Sequence, residues 1–294
     1  MTSDELPGFL GSARVAVVGL GLIGGSLALA LRGRCGELLG IDPDPRTLDL
    51  ARHLGIASRL AADPADLLPE ADAVILAAPV RAILSLIDRL PGLHPGRALV
   101  MDVGSTKTAV VRALEGLPER FDPIGGHPMG GKERGGLSNA DPGIFRNAAF
   151  ALTPLPRTST RARQAAVELA AAVGARPLWI DPERHDRYAA ATSHLAVLVS
   201  ASLAAVTPVE AASLAGPGFR STTRLAASDP GMVLDILLTN PGNVRASLAQ
   251  FRDQLDRFDR ALAGEDVELL KTLLAEGRDR REAVLAASEL KEAR

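Results

Sequence analysis

The chain has 294 residues, 47% of them hydrophobic but only 3% aromatic, and a formal net charge of −2. That length suits about two ordinary domains with an aliphatic core of Ala, Leu and Val. The near-balanced charge, with no basic stretch, argues against nucleic acid or an anionic membrane as the main partner, and leaves any anionic substrate to a few local arginines.

The chain opens on MTSDELPGFLGS, which is acidic and has no apolar core of a secretory signal. Arg14–Val18 is predicted to be a strand and Ile23–Leu31 a helix, followed by the single cysteine, Cys35. One cysteine allows no internal disulfide and fits a reducing cytoplasm. Further strands are expected at Leu38–Ile41, Ala73–Ala77 and Ala98–Asp102, each a short apolar run before a helix-like stretch. Such alternation specifies βαβ units and a mostly parallel, buried sheet. The glycine-rich segment Ile124–Gly143 is expected to be a loop. Ala148–Leu152 and Pro177–Ile180 are read as the last strands, with an Ala-rich helix, Thr160–Val173, between them. Asp181-Pro182-Glu183 is a strong helix start, with an Asp cap, Pro in the first turn and an acidic residue facing the helix dipole. Strand signals then vanish. His185–Val206 is expected to be one long helix. Val244, Leu248, Phe251, Leu255, Phe258 and Leu262 form an apolar stripe on a second, and Val267–Leu290 is a third. No apolar run is expected to reach the ~20 residues of a membrane span. The fold class is therefore α/β: a Rossmann-type domain over 1–180, then an all-helical domain over 181–294 that provides a substrate wall and a homodimer interface.

Gly19-Leu20-Gly21-Leu22-Ile23-Gly24 is a G-x-G-x-x-G that follows a strand and opens a helix, as a dinucleotide site requires. Gly19 serves the tight turn, Gly21 lets backbone approach a pyrophosphate, and Gly24 lets helix and strand pack closely. The helix N-terminus at Leu22 and Ile23 offers N–H groups to the phosphates. Asp42 ends the second strand, where a carboxylate accepts from ribose hydroxyls and repels a 2′-phosphate, so NAD is expected rather than NADP. Ala78 and Pro79, at the end of a later strand, are expected to line the same cofactor.

Three further segments carry chemistry. Ser105, in DVGSTK, sits at a strand's carboxyl end beside a helix start, where its hydroxyl can reach a substrate or the nicotinamide. His127, in GGHPMGGKE, is one imidazole among glycines, suited to take an alcohol proton near neutral pH. Arg224, in GFRSTTRLAASDP, is a candidate carboxylate clamp.

GLGLIGGSLA (Gly19–Ala28), DVGSTK (Asp102–Lys107), GGHPMGGKE (Gly125–Glu133), DPERHD (Asp181–Asp186), TSHL (Thr192–Leu195) and GFRSTTRLAASDP (Gly218–Pro230) occur in this order. Together they closely resemble the prephenate/arogenate dehydrogenase family, over nearly the whole chain. The resemblance implies an NAD-dependent oxidative decarboxylation on the way to tyrosine. His127 would be the base that takes the ring C4 hydroxyl proton while hydride leaves C4. Ser105 would orient that hydroxyl and Arg224 would bind a substrate carboxylate. Glu133 would stand at the mouth of the site, and His194 would face the pocket. Three features depart from the family pattern. Many members carry SHLPH where this chain has Ser193-His194-Leu195-Ala196-Val197, an acidic residue common after GGGF[KR] is Ser221 here, and an aromatic common after SDP-x-M is Val233. Val197 lies three residues after His194, on the same helix face. It offers no positive charge to a keto acid, so arogenate is expected to be accepted, possession of an ammonium group no longer being penalised.

Two other readings remain open at this point. A β-hydroxyacid dehydrogenase would share the layout but rely on a lysine base, and no lysine lies between Asp181 and Val206. A cofactor-binding sensor would leave Ser105, His127 and Arg224 idle.

Overall fold

The computed structural model describes residues 8–132 and 134–290. Glu133, expected at the mouth of the site, lies outside the described residues. The chain packs as two compact units, Met1–Pro241 and Gly242–Arg294.

In the first unit the elements run α1 (Phe9–Ser12), β1 (Arg14–Val18), α2 (Leu22–Leu31), β2 (Glu37–Ile41), α3 (Pro45–Leu54), β3 (Arg59–Ala61), β4 (Ala73–Leu76), α4 (Val80–Leu93), β5 (Ala98–Asp102), α5 (Thr108–Glu115), β6 (Phe121–Pro128), β7 (Ala149–Pro154), α6 (Thr160–Ala172) and β8 (Arg176–Trp179). Helices α7 (Pro182–Ala189), α8 (Leu195–Val206), α9 (Pro217–Thr222) and α10 (Pro230–Thr239) complete it. Among the described residues eight strands form one sheet in the order β3-β2-β1-β4-β5-β6-β7-β8. Alternate residues of β1 face opposite layers: Val15 and Val17 join the core that includes α2 and α6, whereas Ala16 and Val18 join the core against α4 and α5. The central strands are buried on both faces, which is why they read as unbroken apolar runs.

The sheet departs from expectation at β6. The segment expected to be a loop from Ile124 is strand through Pro128, and it pairs antiparallel with β7, His127 opposite Ala151. Its glycines mark close packing. A Cβ on Gly125 would lie 2.1 Å from Thr153 Oγ1, and one on Gly126 would lie 2.9 Å from the Asp102 carbonyl oxygen. Only the part after Pro128 is irregular, apart from a short 3-10 turn at Leu137–Asn139.

The long helix expected over His185–Val206 is continuous but not uniform. Between α7 and α8 the residues Ala190–His194 form a π-helical turn. The stretch Pro182–Val206 is also long and apolar enough, by length and composition alone, to cross a membrane, so the expectation that no segment reaches that size does not hold. Yet it buries His185, Asp186, His194 and Ser200. Of these, Asp186 accepts from two backbone N–H groups and Ser200 Oγ from the Ala226 N–H, contacts that belong to a protein interior.

The second unit contains nearly all of α11 (Pro241–Ala263) and α12 (Val267–Leu290), joined by an ion pair between Arg257 and Glu276 at 3.2 Å. Its apolar stripe is only partly covered: Val244 is buried, but Leu255 and Leu262 stay 51% and 63% exposed.

Candidate active site

The nucleotide end is built by the glycine turn between β1 and α2. Gly19 has φ +93, a conformation that favours glycine, and a Cβ there would meet the Ala77 carbonyl oxygen at 2.7 Å. Gly24 would place a Cβ 1.8 Å from the Gly19 oxygen, so only glycine lets helix and turn approach this closely. A Cβ on Gly21 would meet nothing within 4 Å, which leaves its backbone bare to a ligand. Gly21 caps α2 without a side-chain hydrogen bond, so the first N–H groups, at Leu22 and Ile23, keep their capacity to bind an anion. Asp42, just after β2, accepts from the Leu20 N–H at 2.7 Å and from the Asp44 N–H at 2.9 Å. Ala78 and Pro79 lie between β4 and α4, with Pro79 capping the helix. This turn, with its bare glycine and the carboxylate behind it, fits a dinucleotide.

On β6, two strands beyond β4 in the sheet, a chain of three side chains ends at His127. Asp186 Oδ1 lies 2.9 Å from His185 Nδ1, and His185 Nε2 lies 2.9 Å from His127 Nδ1. The Asp186 carboxylate also accepts from the backbone N–H groups of Lys107 at 2.7 Å and Thr108 at 2.8 Å, at the start of α5. Burial alone would raise the Asp186 pKa, but donors from His185, Thr108 and Lys107 outweigh it and hold the group below its usual value. An ionised carboxylate only accepts, so His185 Nδ1 must carry a hydrogen. With a neutral imidazole at His185, its Nε2 is the acceptor, His127 Nδ1 is the donor, and His127 Nε2 bears a free lone pair. Burial first, then the proximity of His185, Lys107 and His194, pushes the His127 pKa well below 6.5. His127 is therefore neutral near pH 7 and able to take a proton at Nε2.

Beneath this chain, Lys107 and Asp102 are fully buried and paired. The Lys107 ammonium also donates to the Gly126 carbonyl at 2.6 Å, while Asp102 accepts from the Gly104 N–H at 2.9 Å and the Gly126 N–H at 3.3 Å. Burial pushes the Asp102 pKa up and that of Lys107 down, and their mutual attraction opposes both shifts. The pair clamps the residue before His127 to the turn that carries Ser105. Ser105 itself is half-buried.

Arg224 opens a short 3-10 turn, Arg224–Ala227, and lines a cavity of about 500 Å³ with Lys132, Arg134, Asn139, Thr223 and Ala227. Three cationic side chains on two separate segments make this cavity suited to an anion. His127 is not among its lining residues. His194 is 2% exposed, and burial lowers its pKa to about 4. Val197 is half-buried on α8.

Residues 27–178 match the family model for the prephenate dehydrogenase nucleotide-binding domain, and residues 181–276 match that for the prephenate dehydrogenase dimerization domain. The chain belongs to the prephenate dehydrogenase family. It is 34% identical to a Bacillus subtilis prephenate dehydrogenase over 92% of this chain and 76% of that protein. It resembles the crystal structure of prephenate dehydrogenase from A. aeolicus in complex with hydroxyphenyl propionate and NAD+, with TM-score 0.83 and 31% identity over 92% of this chain and 98% of that one. It also resembles the Synechocystis arogenate dehydrogenase, with TM-score 0.77 and 30% identity over 92% and 99% of the two chains.

Within this family framework, sequence reasoning singled out His127, Ser105 and His194 but missed His185, Asp186, Lys107 and the Asn240 described below. DPERHD was read physically only as a helix start. The signal within it was the His-Asp pair one turn beyond the cap, two groups with no reason to adjoin on an ordinary solvated face.

Proposed function

We propose that this dehydrogenase oxidatively decarboxylates a cyclohexadienyl acid, prephenate or arogenate, and so yields 4-hydroxyphenylpyruvate or tyrosine. The observation that carries the reading is the Asp186–His185–His127 chain, which leaves one unprotonated imidazole nitrogen beside the nucleotide fold. The glycine turn would hold NAD, which would supply the acceptor for the hydride leaving ring C4. His127 Nε2 takes the C4 hydroxyl proton. The Asp186 carboxylate, acting through the oriented His185, stabilises the positive charge this creates on His127, as in other carboxylate-oriented histidine bases. Ser105 orients the hydroxyl for that transfer. The resulting ring ketone draws electrons as the ring carboxylate leaves as CO2, and the proton held at His127 can return to the phenolic oxygen of the product.

Arg224 holds a substrate carboxylate, with Lys132 and Arg134 adding positive charge around it. His194, Val197 and Glu133 complete the substrate side. Gly19, Gly21, Leu22, Ile23, Gly24, Asp42, Ala78 and Pro79 form the cofactor side, and Asp42 disfavours the 2′-phosphate of NADP. The functional boundary falls at 180/181, a division supported by the separate matches of 27–178 and 181–276. The protein works as a cytoplasmic homodimer, with neither nucleic acid nor membrane as a partner.

The test is NADH formation by the native protein with NAD or NADP and each of the two acids. Turnover of at least one acid with NAD is expected, and none with either acid would overturn the reading. Arogenate should be used at least as well as prephenate, and Val197→His should shift the ratio toward prephenate. A strong native preference for prephenate, unmoved by that substitution, would remove Val197 from the account.

A further inference from the structure

Asn240 follows α10 and is buried, with 4% exposure. Its Nδ2 lies 2.7 Å from the Asp186 backbone carbonyl oxygen. A carbonyl only accepts, so the amide atom at that position must be the nitrogen. The same nitrogen lies 3.4 Å from His194 Nδ1. An amide NH2 only donates, so His194 Nδ1 must be an unprotonated acceptor. A neutral imidazole then carries its hydrogen on Nε2. That atom is fully buried and has no hydrogen-bond partner among the described residues.

An unsatisfied buried donor is costly, and such groups are rare unless they serve a site. Two further features point to a site here. His194 closes the π-helical turn Ala190–His194, a local distortion that turns a side chain away from regular α-helical spacing and that recurs at functional positions. The imidazole also lies near enough to His127 and His185 for their charges to influence one another.

We propose that Asn240 fixes His194 as the neutral Nε2–H tautomer, and that this N–H donates a hydrogen bond to the C4 oxygen of the cyclohexadienyl substrate as the oxygen gives up its proton to His127. The proposal rests on the function set out above. Its logic is electrostatic. As the C4 hydroxyl loses its proton, negative charge builds on oxygen and positive charge on His127. A cation at position 194 would steady the oxygen but repel the His127 imidazolium. A neutral donor steadies the oxygen without that repulsion. Burial keeps His194 neutral at the pH where the base works, and Asn240 selects which nitrogen carries the hydrogen. Asn240 is thus a positioning residue for His194. Because it also donates to the Asp186 carbonyl, it ties the donor and the His127 relay into one framework.

The direct test is the ¹⁵N NMR spectrum of the full-length protein with labelled histidine, with the His194 signals assigned by their loss in His194→Gln. Near neutral pH His194 should show a protonated Nε2 and an unprotonated Nδ1. In Asn240→Leu this preference should weaken and turnover should fall. The opposite tautomer, or an imidazolium, in the native protein would overturn the proposal whatever the enzyme turns over. Kinetics test the second half. His194→Leu, which removes the donor, should lower kcat by roughly 100- to 1,000-fold with little change in KM. His194→Gln, whose amide places an N–H near the Nε2 position, should recover at least tenfold of that loss. Equal kcat in the Leu and Gln variants, or a loss confined to KM, would overturn the role as donor to the C4 oxygen. If Asn240→Leu does not fold, the native spectrum and the two His194 variants still decide the matter. Inactivity of the native protein on both acids, with the expected tautomer present, would instead mark failure of the proposed function on which the donor's role rests.

Discussion

His127 stood out in the sequence because a lone histidine among glycines is unusual. Its partners did not, because hydrogen bonds across 58 residues leave no periodic trace. The Asp186–His185 chain sets the tautomer of His127, the proposed base. Burial depresses the His127 pKa, so the free base persists below the ordinary histidine value of 6.5 and is lost only at lower pH. The kcat/KM profile should therefore stay level from neutral pH down past 6.5 and fall only below it, whereas an acid limb at or above 6.5 would contradict the depressed pKa. Asp186→Asn tests the orienting role. The new amide can present an NH2 to His185 Nδ1 and so reverse both imidazoles, which puts a hydrogen on His127 Nε2. Turnover should drop by roughly 100- to 10,000-fold while NAD affinity persists. Near-native turnover in a folded Asp186→Asn protein would show that His127 needs no such orientation.

At the scale of elements, the alternation of apolar runs and helical patterns placed β1, β2, β4, β5, β7 and β8 to within about two residues, but left out the short, polar-edged β3. It failed at β6 because glycine has two uses that sequence does not separate. In Gly19 it permits a positive φ; in Gly125 and Gly126 it clears room for neighbouring strands and for the Asp102 carbonyl. His127 is consequently held on a strand, paired with Ala151 of β7, rather than on a loop, and a rigid element would position the proposed base more accurately. Gly126→Ala would force a methyl against backbone, which cannot move aside as a side-chain tip can. The expected cost is about 1–3 kcal/mol of stability, read from denaturant unfolding, with a loss of turnover from the displaced His127. A variant of native stability and activity would contradict the packing argument. The π-helical turn is a second feature that apolar spacing could not reveal, since one extra residue in a turn leaves the overall helical character of 182–206 intact.

At the scale of the molecule, α10 of the first unit meets α4 and the turn after β5 through polar contacts. Arg81 pairs with Asp235 across α4 and α10, and the Thr106 and Thr239 hydroxyls lie 2.8 Å apart. The helical part of that unit leaves Val206, Val209 and Leu214 at 77%, 85% and 86% exposure, and the second unit leaves Leu255, Leu262 and Leu274 largely bare. Apolar surface on this scale is unusual for a soluble monomer and is the surface expected to be covered in a dimer. Light scattering at micromolar concentration should give the mass of two chains, and a fully active monomer would contradict the homodimer. The most direct test of the central claim is a single comparison between the native protein and His127→Asn of turnover and NAD affinity. Asparagine keeps a hydrogen-bonding group near the imidazole Nδ1 position but lacks the Nε2 lone pair. The account expects NAD affinity to be retained and kcat to fall by roughly 100- to 10,000-fold; near-native kcat in His127→Asn would contradict it.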